Sequence, residues 1–226
     1  MFQEWGCSEA RGEILRIPYY ETSLKKKIKA DRQDRRERIE RDLLKYGGEI
    51  LESAEMKDSF GQTHHLWSTV GEHTVRVTVT SVLICYALRK LNIPTNIPAV
   101  VVGSLCHDLG IMGRDEKFSN KKEMSREHPR ESVNVARTLV PELSDTSEEI
   151  IERHMWPAGG SKAPGSKESL IVSVADKYTA VKDIFKGSDV KGTGVRNTAQ
   201  RQREFVGNRV QEQIEKASEF INEITE

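Results

Sequence analysis

Residues 98–110 read Pro98-Ala99-Val100-Val101-Val102-Gly103-Ser104-Leu105-Cys106-His107-Asp108-Leu109-Gly110. Val100, Val101, Val102, Leu105 and Cys106 leave this segment with no polar side. A helix that is apolar all round belongs at the centre of a domain. Pro98 suits its first turn, where the missing N–H has no intrahelical partner to lose. Gly110 and Gly113 end it. The reading predicts a central helix from Ala99 to about Leu109, with His107 and Asp108 at its C-terminal end.

The flanking segments have the helical period as well. Between residues 69 and 91, Val70, His73, Val77, Thr80, Ile84, Ala87 and Leu91 share one face. Residues 114–127 read as a polar connection, after which His128-Pro129 opens a helix that Pro141 stops. Ser144 to Glu149 offers overlapping N-caps for a short helix ending near His154. Pro157 to Gly165 is predicted as a flexible loop, either a lid or a plain connection. Ser166 caps a helix over 167–186, with Leu170, Ile171, Val174, Ala175, Tyr178 and Val181 expected inward. A loop at 187–193 and an amphipathic helix over 196–225 follow.

At the other end, residues 24–57 are charge-dense, with Leu24, Ile28, Ile39, Leu43, Ile50 and Leu51 as sparse apolar positions. Asp31/Arg35, Asp34/Arg38 and Glu37/Arg41 form acid-first i,i+4 pairs. The segment reads as a solvated helix face or a basic recognition helix, broken or bent at Gly47-Gly48. Almost nothing in the chain has period 2, so the fold class is all-α. The expected organisation is one domain over 1–226: a core at 65–186, an N-terminal helical extension at 1–64 and a C-terminal helix at 187–226.

Composition narrows the function classes. Lys+Arg and Asp+Glu both total 35, so no global electrostatic grip on nucleic acid or anionic membrane is indicated. No apolar run approaches the roughly 20 residues of a membrane span. The first residues lack the features of a secretory leader. Cys7, Cys85 and Cys106 form neither a metal knuckle nor a disulfide framework. The expectation is a soluble protein of a reducing cytoplasm, with no membrane partner and no nucleic-acid partner.

The chemistry lies in a set of histidines and aspartates. The chain has six histidines. His73 lies on an apolar helix face, His107-Asp108 end the most apolar helix, and His154 ends another. Asp176 sits among Val174, Ala175 and Tyr178, where a carboxylate costs several kcal/mol unless it is paired or metal-bound. Each position alone is consistent with a satisfied core residue. Together they are the donors from which helical bundles build metal sites. Nitrogen and oxygen donors suit Fe, Mn, Zn, Ni or Co.

The order His73, His107-Asp108, His128, His154, Asp176 resembles the HD-domain superfamily of metal-dependent phosphohydrolases. The steps are 34 to His107, then 20 from Asp108 to His128, 26 to His154 and 22 to Asp176. Gly71-Glu72-His73, Leu105-Cys106-His107-Asp108-Leu109-Gly110, His128-Pro129 and Val174-Ala175-Asp176-Lys177-Tyr178 carry the resemblance over about 65–186. The extra histidines are similar to the subset with a two-metal centre, which includes the HD-GYP phosphodiesterases and HD-type dinucleoside-tetraphosphate hydrolases.

The resemblance implies an HD-type helical bundle with extra terminal helices. His73, His107, Asp108 and Asp176 would hold one divalent transition metal. His128 and His154 would hold a second, with Asp108 as the bridging catalytic residue. The implied reaction is hydrolysis of a phosphate ester of a nucleotide or other small molecule, by in-line attack of a metal-bound hydroxide. HD-GYP proteins have a lysine where this chain has Ile111 and a Gly-Tyr-Pro element where it has Met155 to Gly160. A cyclic dinucleotide is therefore not implied. Arg114, Lys117 and Lys177 are the candidate phosphate contacts.

His64-His65 is either a rim of the site with a proton to donate or an exposed loop pair. Trp156 either stacks on a base or plugs the core. Cys106 reads as a small hydrophobe rather than a nucleophile. Two further readings stay open: an HD-type di-iron oxygenase, and a non-catalytic metal-binding sensor or scaffold whose partner docks on 24–57 or 196–225. Metal identity and oligomeric state are open as well.

Overall fold

The computed structural model describes residues 18–65, 68–158 and 160–186. The expected loop at 187–193 and helix at 196–225 lie outside the described residues. The helices are α1 (Pro18–Glu52), α2 (Ala54–Ser59), α3 (Val70–Lys90), α4 (Ile97–Cys106), α5 (Arg114–Lys117), α6 (Lys121–Leu139), α7 (Asp145–Arg153) and α8 (Lys167–Lys186). A single 3₁₀ turn, Leu109–Ile111, follows α4. Strands β1 (Thr63–His65) and β2 (Ser68–Thr69) form a small antiparallel hairpin. The fold is all-α, as its periodicity predicts.

Helix α4 is central, packing against α1, α3, α6, α7 and α8. Asn96 caps it by accepting from Ala99 N at 3.2 Å. Helix α3 is buried on more than its one expected face: Val75, Val77, Val79, Val82, Leu83 and Cys85 all lie in the core. Its start is fixed by a capping box between Thr69 and Glu72. Among the described residues, no helix is long and apolar enough to cross a membrane.

Three local expectations are corrected. Gly47-Gly48 does not break α1, which runs on to Glu52. A Cβ at Gly47 would overlap Leu105 of α4, so this glycine serves close helix approach. Ile39, Leu43, Ile50 and Leu51 then join the core, while residues 26–34 stay exposed.

The connection over 114–127 is largely helical, and His128 lies inside α6 rather than at its start. Asn120 caps α6 by accepting from Glu123 N at 3.0 Å. Pro129 is therefore an interior proline, which costs about 3 kcal/mol in an exposed helix. Burial of His128, Pro129, Val133 and Ala136 offsets that cost.

Helix α8 begins where expected, with Ser169 N donating to Ser166 Oγ at 3.1 Å, but its phase differs. Ile171, Val172, Ala175, Asp176 and Thr179 are buried, whereas Leu170, Val174 and Val181 are exposed. These three lie on the side of the helix away from Asp176. The inward stripe seats the carboxylate together with Ile171, Val172 and Ala175.

Candidate metal centre

Six segments converge on one buried cluster: β1, α3, the end of α4, α6, the end of α7 and α8. His73, His107 and His154 are fully buried, and His128, Asp108 and Asp176 nearly so. All six predicted ligands are brought together.

His107 and Asp108 reach the same cluster because α4 ends just before them. His107 retains helical backbone angles, while Asp108 moves to φ −111°, ψ 1° and opens the 3₁₀ turn. Gly110 then lies against the backbone of α6. A Cβ there would sit 2.5 Å from the His128 carbonyl oxygen and 2.7 Å from the carbonyl carbon of Glu131. Its own N–H donates to Ser132 Oγ at 2.9 Å. This contact draws the turn onto α6 and puts Asp108 next to His128.

The two oxygens of Asp108 face different partners. Oδ2 lies 3.3 Å from His107 Nε2, 3.4 Å from His64 Nε2 and 3.9 Å from His73 Nε2. Oδ1 lies 3.4 Å from His128 Nε2 and 3.5 Å from His154 Nε2. Asp176 Oδ1 completes the first side, 2.8 Å from His73 Nε2 and 3.9 Å from His107 Nε2.

The backbone fixes three of the imidazoles. Nδ1–H of His107 donates to Ser104 O at 2.7 Å, that of His128 to Met124 O at 2.8 Å, and that of His154 to Ile151 O at 2.7 Å. When neutral, each ring therefore presents an unprotonated Nε2 lone pair to the cluster, the tautomer a metal needs.

The electrostatics agree. Burial presses the His154 imidazole down to about 4, so it is neutral at physiological pH. Burial would push the Asp108 carboxyl up, but the charge of His107 and His64 and the close approach of His128 hold it well below the ordinary range. Burial is likewise outweighed at Asp176, whose pKa is lowered by His73, His107 and Lys177. At His107 burial favours the neutral ring, yet Asp108 and Asp176 together raise its pKa.

A buried pair of ionised carboxylates ringed by imidazoles calls for cations. His107 Nε2 is buried without a hydrogen-bond partner. His73, His107 and Asp176 place one ligand atom each within 4.8 Å of one another, and so do Asp108, His128 and His154. The residues present fit a divalent metal.

Around the ligands, Lys177 donates to Asp176 Oδ2 at 2.7 Å and to the His154 carbonyl at 2.9 Å. It holds two ligands as well as standing at the site's edge. Arg114 and Lys117 stand on α5, beyond the 3₁₀ turn, with Arg114 Nε 3.8 Å from Asp115. Trp156 is half-buried and lines a surface groove with Pro157, Ser173, Val174, Lys177, Tyr178 and Val181. The far end of the 157–165 loop is tied to α7, where Arg153 donates to Ala163 O at 3.0 Å and Glu149 accepts from Ser166 N at 3.1 Å. Cys106 is buried, and burial pushes its thiol up to about 12, so it is inert.

His64 belongs to a histidine pair whose role the sequence leaves undecided. The hairpin carries it to within 4.6 Å, centroid to centroid, of the His73 ring. Gln62 anchors this edge, donating to Ile111 O and accepting from Gly113 N, both at 3.0 Å. No periodicity marks so short a hairpin; the doublet His64-His65 itself was the available signal.

Compared with known protein families, residues 70–181 match the HD domain. No curated protein and no solved structure matches the chain. The matched span begins at α3 and ends within α8, so it contains all six candidate ligands from His73 to Asp176. Residues 70–181 therefore form an HD domain, the fold of a superfamily of metal-dependent phosphohydrolases.

Proposed function

We propose that this protein is a phosphohydrolase with two divalent transition metals, acting on a phosphate ester of a nucleotide or another small molecule. The observation that carries this reading is the division of Asp108, with Oδ2 facing His73 and His107 and Oδ1 facing His128 and His154. A carboxylate so placed can bridge two ions and offset part of their charge. Bound ions supply activation of water near neutral pH and a clamp on the phosphoryl oxygens.

The chain's own residues do the rest. His73, His107 and Asp176 would hold one ion with Asp108, and His128 and His154 the other. The backbone carbonyls of Ser104, Met124 and Ile151 keep three ligand rings oriented. Lys177 holds Asp176 in place and leaves part of its side chain exposed toward incoming phosphate. Arg114 and Lys117 supply further positive charge on the helix after the Asp108 turn.

Elemental analysis of protein purified without chelators or a His-tag, followed by a phosphate-release screen under the metal found, tests this reading. About two transition-metal ions per chain, with turnover lost in Asp108→Ala and helical content kept, is the expected result. Wild-type turnover in Asp108→Ala would overturn it. Oxygen uptake without phosphate release by an iron-loaded sample would favour an oxygenase instead.

A further inference from the structure

His64 lies outside the set from His73 to Asp176 that the helices supply. It is held on a hairpin, with a side chain 12% exposed. Its Nε2 is 3.4 Å from Asp108 Oδ2, and its ring lies against His73. His64, His73 and Asp108 place one ligand atom each within 4.8 Å of one another. This is the same closeness that the two helical groups show.

We infer that His64 is a further protein ligand on the Oδ2 side of Asp108, which widens the difference between the two metal positions. This inference rests on the two-metal reading proposed above. The Oδ2 side would then offer two overlapping groups, His64–His73–Asp108 and His73–His107–Asp176. The Oδ1 side has His128, His154 and Asp108. A position with three protein donors keeps room for water and substrate, as catalytic sites do, whereas a richly ligated one is closer to saturation. The phosphate oxygen of the substrate therefore belongs on the His128/His154 side. An ion on the Oδ2 side would be the tighter of the two, with His64 supplied to it by the hairpin.

The test is Mn²⁺ binding to the full chain, with unbound ion counted by its electron paramagnetic resonance signal. Wild-type protein should bind in two steps, and His128→Ala should remove the weaker one. In that His128→Ala background, His64→Ala should weaken the remaining step by at least about tenfold, the low end of the cost of losing even an outer partner of a metal ligand. His64→Phe keeps a ring against His73 but carries no donor atom, so it should lose affinity equally. Unchanged affinity in His64→Ala, or affinity retained by His64→Phe, would overturn the inference. If wild type and His128→Ala bind the same number of ions, the two-metal reading fails. The effect of His64 on the ion that remains is still measured in that case.

Discussion

His128 Nε2 and His154 Nε2 lie 3.0 Å apart. Both rings commit Nδ1–H to a backbone carbonyl. Two neutral imidazoles in that arrangement point lone pairs at each other, an unfavourable contact unless a cation lies between them or one ring takes a proton.

Metal removal should therefore cost stability. Chelator-treated protein is expected to melt lower than the metal-loaded form, and readdition of Mn²⁺ should restore the difference. An ion present at 100 times its dissociation constant stabilises by about 2.7 kcal/mol. Differential scanning calorimetry with and without chelator measures this. In His128→Ala the metal-dependent part of the shift should shrink.

Lys177 is expected to act first on the ligands it holds. Lys177→Met removes the bonds to Asp176 and to the His154 carbonyl. Loss of such outer partners lowers metal affinity by about 10–100-fold. A metal titration alongside KM separates the two roles. Weakened metal binding marks a holding role, whereas unchanged metal binding with a raised KM marks a substrate contact alone.

Gly110→Ala should be among the most disruptive small changes in the domain. Its Cβ would meet backbone atoms of α6, which cannot swing aside as a side chain can. Overpacking of this kind costs about 3 kcal/mol, and it pushes Asp108 away from His128. A lower urea midpoint together with weaker metal binding is the expected pair of results.

The pH dependence of the metal-free protein has a defined sign. The unfolded chain protonates His154 near pH 6.5, while the folded ring, pressed down by burial, resists to about 4. The unfolded state binds more protons between these values, so stability falls as pH falls through that window, by up to about 3 kcal/mol. Asp108 and Asp176, with lowered pKa values, extend the loss at still lower pH. His107 acts oppositely: its raised pKa gives stabilisation that is full below about 6.5 and is lost as pH rises through its folded value. Urea melts across the acid range measure the slope, which His154→Gln should flatten between pH 6.5 and about 4.

Much of the centre was legible because polar donors on apolar helical faces stand out against a 3.6-residue period. His73, His107, Asp108, His154 and Asp176 are of that kind. Other features depended on contacts that no local pattern encodes. Gly47 reads as a helix break until Leu105 is placed against it. Pro129 reads as a helix start, yet Asn120 caps the chain two turns earlier. The phase of α8 seats Asp176 with Ile171, Val172 and Ala175 and leaves Leu170, Val174 and Val181 outward. His64 sits on strands too short to show a period of their own.

The pairing of His73 with Asp176 spans 103 residues, and the partners in between come from α4, α6 and α7. The centre is thus complete only when the beginning and the end of the HD domain have met. A nicked or partly folded chain that lacks α8 would keep five of the six ligands and still lose Asp176 and the Lys177 anchor. Metal uptake at this centre would consequently work as a checkpoint on assembly: an ion held tightly would report that the whole stretch from α3 to α8 has closed around it.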